Sequence, residues 1–167
     1  DDPSMHSSQD EQDSRFYAKF AMIPTLEPSS QQEAYDMMQE AFDLSEQLHL
    51  PILMRVTTRM AHSRAVVEVK DEARPQNELN YDAQASNWVL LPAFARKRNV
   101  VVTGQPPLLE QMAVDSKYNK YIDGADHKLG IIASGIAYNY LMECYPDGCP
   151  FPKLRSEERR VGKECRS

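Results

Sequence analysis

No apolar run in the 167 residues approaches the ~20 needed for a helix to cross a bilayer, which excludes a helical membrane span. Cysteine is scarce. Cys144, Cys149 and Cys165 lack the four closely spaced thiolates of an iron–sulfur centre and have no zinc-ligand spacing. An odd count without a pairing framework fits reduced thiols, so a cytoplasmic setting is expected. Positive charge is in deficit: 19 Lys and Arg against 25 Asp and Glu leave −6. That balance argues against a nucleic-acid surface, which needs clustered cations. His6, His49, His62 and His127 share no ligand spacing, so no metal site is read. Internal repeats, low-complexity tracts and heptad runs are also missing. An apolar fraction of 41% with 26% charged residues fits a globular chain long enough for one domain.

The most informative stretch is Asp1–Arg15, DDPSMHSSQDEQDSR. It is almost devoid of apolar residues, so it is neither a core strand nor an amphipathic helix. Pro3 fixes its own φ and biases Asp2 to extended backbone, so the segment opens as a turn. By composition alone such a stretch reads as a terminal tail. The other reading is a loop hung on a strand end, where α/β proteins keep their chemistry. His6, Ser7, Gln9 and Arg15 are then the groups able to move protons or hold an anion.

Downstream, Phe16, Tyr17 and Phe20 have helical spacing over Arg15–Ala21 and are expected to pack this loop onto a sheet. Met22–Glu27 reads as a short strand. Ser30-Gln31-Gln32-Glu33 is a capping box for a helix running to about Leu48. Its apolar stripe is Ala34, Met37, Met38, Ala41, Ser45 and Leu48. Ile52–Thr57 reads as a strand covered on both faces, which completes a βαβ crossover. Its C-terminal end runs into Arg59, His62 and Arg64, at the edge where parallel sheets bind ligands, or on a solvated loop. Ala65–Val69 reads as a further short strand and 70–86 as a surface excursion. The residues from Asn87 to Ala95 read as a connector packed against its neighbours, and Asn99–Thr103 holds three consecutive valines. Pro106 and Pro107 open a helix that runs on past Tyr118 to Gly124. Leu108, Leu109, Met112 and Ala113 form its buried side. Leu129–Ala133, Gly135 and a helix to Tyr145 make another βα unit, whose glycine turn is a weak phosphate signal.

Several long blocks carry a resemblance: DDPSMHSSQDEQDSRFYAKFA, LEPS, QEAYDM, AFDLSE, RVTTR with AHSR, and GIIASGIAY. Together they resemble the alpha subunits of the indolepyruvate-type, thiamine-diphosphate-dependent 2-oxoacid:ferredoxin oxidoreductases. The resemblance implies an α/β fold: a partial parallel-sheet pyrimidine-binding domain followed by the first βα unit of a transketolase C-terminal-like domain. Residues 1–64 would be the rear of the first, 65–127 a connecting region and 128–154 the start of the second. Residues 155–167, RSEERRVGKECRS, break the likeness and read as a translated adapter or vector tail. The chain is thus expected to be a fragment, inactive alone.

The implied activity is oxidative decarboxylation of aryl pyruvates to aryl-acetyl-CoA, with ferredoxin as electron acceptor. It requires thiamine diphosphate with Mg²⁺, [4Fe-4S] clusters, coenzyme A and a beta subunit. Within that resemblance His6 is the expected catalytic group, with Ser7, Gln9, Arg15, Arg59 and His62 near substrate or cofactor. The glutamate that activates the aminopyrimidine is expected upstream of Asp1. Alternatives are a sibling acting on pyruvate or another 2-oxoacid, and a non-catalytic α/β interaction module.

Overall fold

The computed structural model describes residues 12–71, 75–76, 78, 84–156 and 158–159. His6, Ser7 and Gln9 therefore lie outside the described residues. Helix α1 (Arg15–Ala21) ends at Met22, whose left-handed φ of 56° turns the chain into strand β1 (Thr25–Leu26). Helix α2 (Gln31–Leu48) then crosses to strand β2 (Leu53–Met54), which pairs with β1 in parallel, Thr25 opposite Leu53 and Leu26 opposite Met54. The expected strand–helix–strand unit is present, with strands shorter than expected.

Ser30 caps α2 by accepting the Glu33 backbone N–H at 3.2 Å. The return arm differs from a capping box. Glu33 accepts the backbone N–H and the hydroxyl of Ser29, at 3.0 and 2.7 Å, one residue ahead of the cap. Ser30→Ala is expected to lower the unfolding free energy by about 1 kcal/mol in a urea titration, the usual worth of an N-cap hydroxyl. Met37, Ala41 and Leu48 of the α2 stripe are buried, and Met37 and Ala41 cluster with Leu26, whereas Met38 is exposed.

Helix α3 (Thr58–His62) follows β2, capped by the Thr57 hydroxyl. Ala65–Val69 is no strand. Val66 is 97% exposed, and the segment runs along α2, where Glu68 donates its N–H to Gln32. Helices α4 (Ala85–Trp88), α5 (Pro92–Gly104) and α6 (Pro106–Val114) come next. The stretch Asn99–Thr103, read as linker, is the last part of α5: Pro92 sits in its first turn and overrides the β preference of three valines. Helix α6 stops at Val114, and Tyr118 and Tyr121 belong to the turn and strand that follow. That strand is β3 (Asn119–Ile122), then come β4 (Ile131–Ala133), helix α7 (Ile136–Cys144), β5 (Lys153–Ser156) and β6 (Glu158–Arg159).

One sheet has the order β2-β1-β6 and the other β3-β5-β4. β5 is parallel to β4 and antiparallel to β3. The segment set aside as a tail thus begins inside β5, where Arg155 and Ser156 stand opposite Lys120 and Asn119. Several apolar groups expected to pack are instead exposed: Phe16, Tyr17 and Phe20 on α1, Trp88, and Leu108 on α6. Strand β2 is half-buried, not covered on both faces. No described helix is long and apolar enough to cross a membrane.

Candidate functional site

Each of the two parallel strands ends in a charged residue. Glu27 follows Leu26 and Arg55 follows Met54, so the β1–β2 register sets them side by side. Arg55 donates its backbone N–H to the Leu26 carbonyl at 2.8 Å, which carries the ladder one step further. Its Nη1 donates to Glu27 Oε1 at 2.6 Å. Both are buried, Glu27 at 4% exposure and Arg55 at 7%. A desolvated pair of this kind holds only with close geometry, because each ion gives up several kcal/mol of hydration.

Two residues from the start of α1 close the arrangement into a ring. Asp13 Oδ1 accepts from Arg15 Nε at 2.8 Å and from the Arg15 backbone N–H at 3.1 Å. Asp13 Oδ1 also stands 3.7 Å from Arg55 Nε, and Arg15 Nε stands 3.9 Å from Glu27 Oε2. Going round, Asp13, Arg15, Glu27 and Arg55 alternate in sign, with two tight and two loose contacts. Glu27 Oε2 is buried with no hydrogen-bond partner among the described residues. Arg15 is partly exposed, and no described residue accepts from its two terminal amino groups.

Burial alone would raise the Asp13 carboxyl. The bonds from Arg15 and the charges of Arg15 and Arg55 outweigh it and hold Asp13 below the usual carboxylate range. A carboxylate depressed in the folded state stabilises above its unfolded value near ~4 and stops doing so as pH falls through the folded value. The ring is therefore expected to open below about pH 4. Urea midpoints between pH 6 and 3 check this, and Asp13→Asn should flatten the part of the curve that Asp13 supplies.

The third wall is Gly135, between β4 and α7. Its φ is +54°, and a Cβ there would lie 2.6 Å from Glu27 Oε1. Helix α7 adds two ties: Asn139 Nδ2 donates to the Ser29 carbonyl at 2.6 Å, and the Tyr140 hydroxyl accepts from Arg59 Nη1 at 2.6 Å. The glycine turn read as a weak phosphate signal thus receives a carboxylate. Arg155 also reaches this side, donating to the Ser29 hydroxyl at 2.7 Å and pairing with Glu33.

Of the residues expected near a site, the structure brings Arg15 into the ring and places Arg59 against Tyr140. His62 and Arg64 are exposed, His62 at the end of α3 and Arg64 beyond it, neither in the ring. Glu27 and Arg55 were legible only as parts of the resembling blocks. The missed signal was two charges of opposite sign, each immediately after an apolar strand core. Among the described residues no group of three His, Cys, Asp or Glu is placed to hold a metal ion. Glu27 Oε1 is held by Arg55 and lies against Gly135.

A charged ring at the carboxyl ends of parallel strands, closed by a following βα unit, defines a ligand-edge α/β protein. The chain belongs to the family described as pyruvate flavodoxin/ferredoxin oxidoreductase, thiamine diphosphate-binding, whose profile matches residues 1–128. It is 41% identical over 157 residues to the "Indolepyruvate oxidoreductase subunit IorA" of Methanothermobacter thermautotrophicus, covering 93% of this chain and 25% of that protein. The protein of the same description from Archaeoglobus fulgidus is 42% identical over 144 residues, 86% of this chain and 23% of that one. The "2-oxoglutarate synthase subunit KorA" of M. thermautotrophicus is 26% identical over 114 residues, 61% of this chain and 30% of that protein. The chain thus spans about a quarter of the length of the indolepyruvate oxidoreductase relatives it matches.

Proposed function

We propose that the chain is a segment of the alpha subunit of an enzyme that oxidatively decarboxylates aryl pyruvates, indolepyruvate foremost, to aryl-acetyl-CoA. The observation that carries this reading is the gap between relatives: 41–42% identity to indolepyruvate oxidoreductase subunits against 26% to a 2-oxoglutarate synthase subunit. Residues 1–64 form the rear of the pyrimidine-binding domain, 65–127 connect, 128–154 begin the transketolase C-terminal-like domain, and 155–167 are foreign to the protein. Thiamine diphosphate, when bound, supplies the electron sink that lets carbon dioxide leave. The ligands of its Mg²⁺ and of the [4Fe-4S] clusters, and the activating glutamate, come from the rest of the longer polypeptide. Coenzyme A, ferredoxin and a beta subunit are the partners, in the cytoplasm.

Within this segment Arg15 takes the 2-oxoacid carboxylate. Its Nε is held by Asp13, and its two terminal amino groups remain to make a bidentate, charge-assisted contact. His6, with Ser7 and Gln9 near it, supplies the imidazole that stabilises or protonates the reacting oxygen, as a group titrating near neutral pH can. Arg59 and His62 line the approach. The test uses the full-length holoenzyme with ferredoxin reduction as the readout. Arg15→Gln is expected to raise KM for the 2-oxoacid at least tenfold, with kcat within about threefold (the pattern of lost carboxylate binding). An unchanged KM removes Arg15 from the substrate contact.

A further inference from the structure

We propose that Glu27, Arg55 and Asp13 are positioning residues that act through Arg15, fixing the stem of the polar N-terminal segment to the ends of β1 and β2. The inference rests on the reading of Arg15 as the substrate's carboxylate contact. Arg55 is the pivot. It is buried, tied to β1 through its backbone N–H and anchored by Glu27 at 2.6 Å. From there its Nε faces Asp13 at 3.7 Å, and Asp13 in turn clamps Arg15 through both the side-chain Nε and the backbone N–H. Glu27 Oε2, 3.9 Å from Arg15 Nε, faces the same edge of the guanidinium. Both acids are thus met through Nε, which leaves the terminal amino groups to a ligand.

The ring joins three separate pieces of chain: residues 13–15, the end of β1 and the end of β2. Its net charge is zero, so it does not itself attract an anion. It holds one cation in a fixed place, and a pre-oriented guanidinium gives up less freedom when it binds a carboxylate. Gly135 keeps Glu27 in the ring by leaving room for it. The seating of the β4–α7 unit is thereby coupled to the orientation of Arg15.

The experiment compares Glu27→Gln, Asp13→Asn and the double variant in the full-length holoenzyme, at a temperature at which each is folded by circular dichroism. Trypsin cleavage after Arg15 is followed by mass spectrometry relative to cleavage after the exposed Lys117, with kcat and KM for the 2-oxoacid measured in parallel. Each single substitution should raise the Arg15-to-Lys117 cleavage ratio at least tenfold and lower kcat/KM at least tenfold. The double variant should be no worse than the poorer single, because both break one ring. General loosening raises both cleavages together and leaves the ratio unchanged, which overturns the proposal. Multiplying losses, or a raised ratio with unchanged kcat/KM, overturn it as well. If the unsubstituted enzyme oxidises no 2-oxoacid, the functional reading fails, and the cleavage ratio still decides whether the ring holds the stem.

Discussion

Gly135→Ala is expected to lower the unfolding free energy by about 3 kcal/mol, the sum of a backbone strain and an overpacking cost of ordinary size. Two causes act together. The φ of +54° with ψ near −140° lies where side-chain-bearing residues rarely go. The added methyl would also stand 2.6 Å from Glu27 Oε1 and 2.9 Å from its Cγ. The neighbour is a side chain, so it can yield, but only by giving up its 2.6 Å contact with the buried Arg55. The two causes separate in a double variant. Glu27→Ala removes the atoms that the methyl meets, so Gly135→Ala should cost less in that background, with the backbone strain remaining. An equal cost in both backgrounds would show that Glu27 does not fill the notch. Urea unfolding of the four proteins gives the comparison.

Arg55→Met carries the second large effect, a loss of about 3–5 kcal/mol on the same scale. The substitution keeps an unbranched side chain in the site and leaves the Glu27 carboxyl group desolvated and without its 2.6 Å donor. Arg15 cannot take over while it stays on Asp13, since its Nε is 3.9 Å from Glu27. Adding Glu27→Gln to Arg55→Met removes the stranded charge and should restore most of the loss. The asymmetry between breaking one partner and replacing both is the signature of a buried pair. A surface pair would cost roughly 0–1 kcal/mol.

The elements that the sequence made readable are those with local chemistry of their own. Ser30 and Glu33 announce α2, Pro106 and Pro107 announce α6, and the run at 129–133 followed by Gly135 announces β4 and its helix. What was misread depends on neighbours that a local pattern does not contain. The three valines of α5 were read as part of a linker, yet Pro92 starts a helix that runs through them to Gly104. Tyr118 and Tyr121 extend the spacing of α6, but Tyr118 turns to Glu40 on α2, with its hydroxyl donating at 2.8 Å. Val66, Val67 and Val69 are β-branched like strand residues but find no partner strand among the described residues, and Val66 and Val69 stay exposed along α2. For the site, Arg15 was visible as a cation in a polar loop. Glu27 and Arg55 were not, because their meaning arises only when two strands 28 positions apart in sequence lie in parallel register. His6, Ser7 and Gln9 lie outside the described residues, so their part rests on the resemblance.

The proposed function makes this segment the holder of a carboxylate-binding arginine in an aryl-pyruvate oxidoreductase. The most direct measurement is the reduction of ferredoxin by the full-length holoenzyme, with thiamine diphosphate and coenzyme A, offered indolepyruvate, pyruvate and 2-oxoglutarate in turn. The account predicts a kcat/KM for indolepyruvate at least tenfold above either of the others, about 1.4 kcal/mol of transition-state preference. Preference for pyruvate or 2-oxoglutarate would contradict the aryl reading, and no turnover of any 2-oxoacid would contradict the account as a whole.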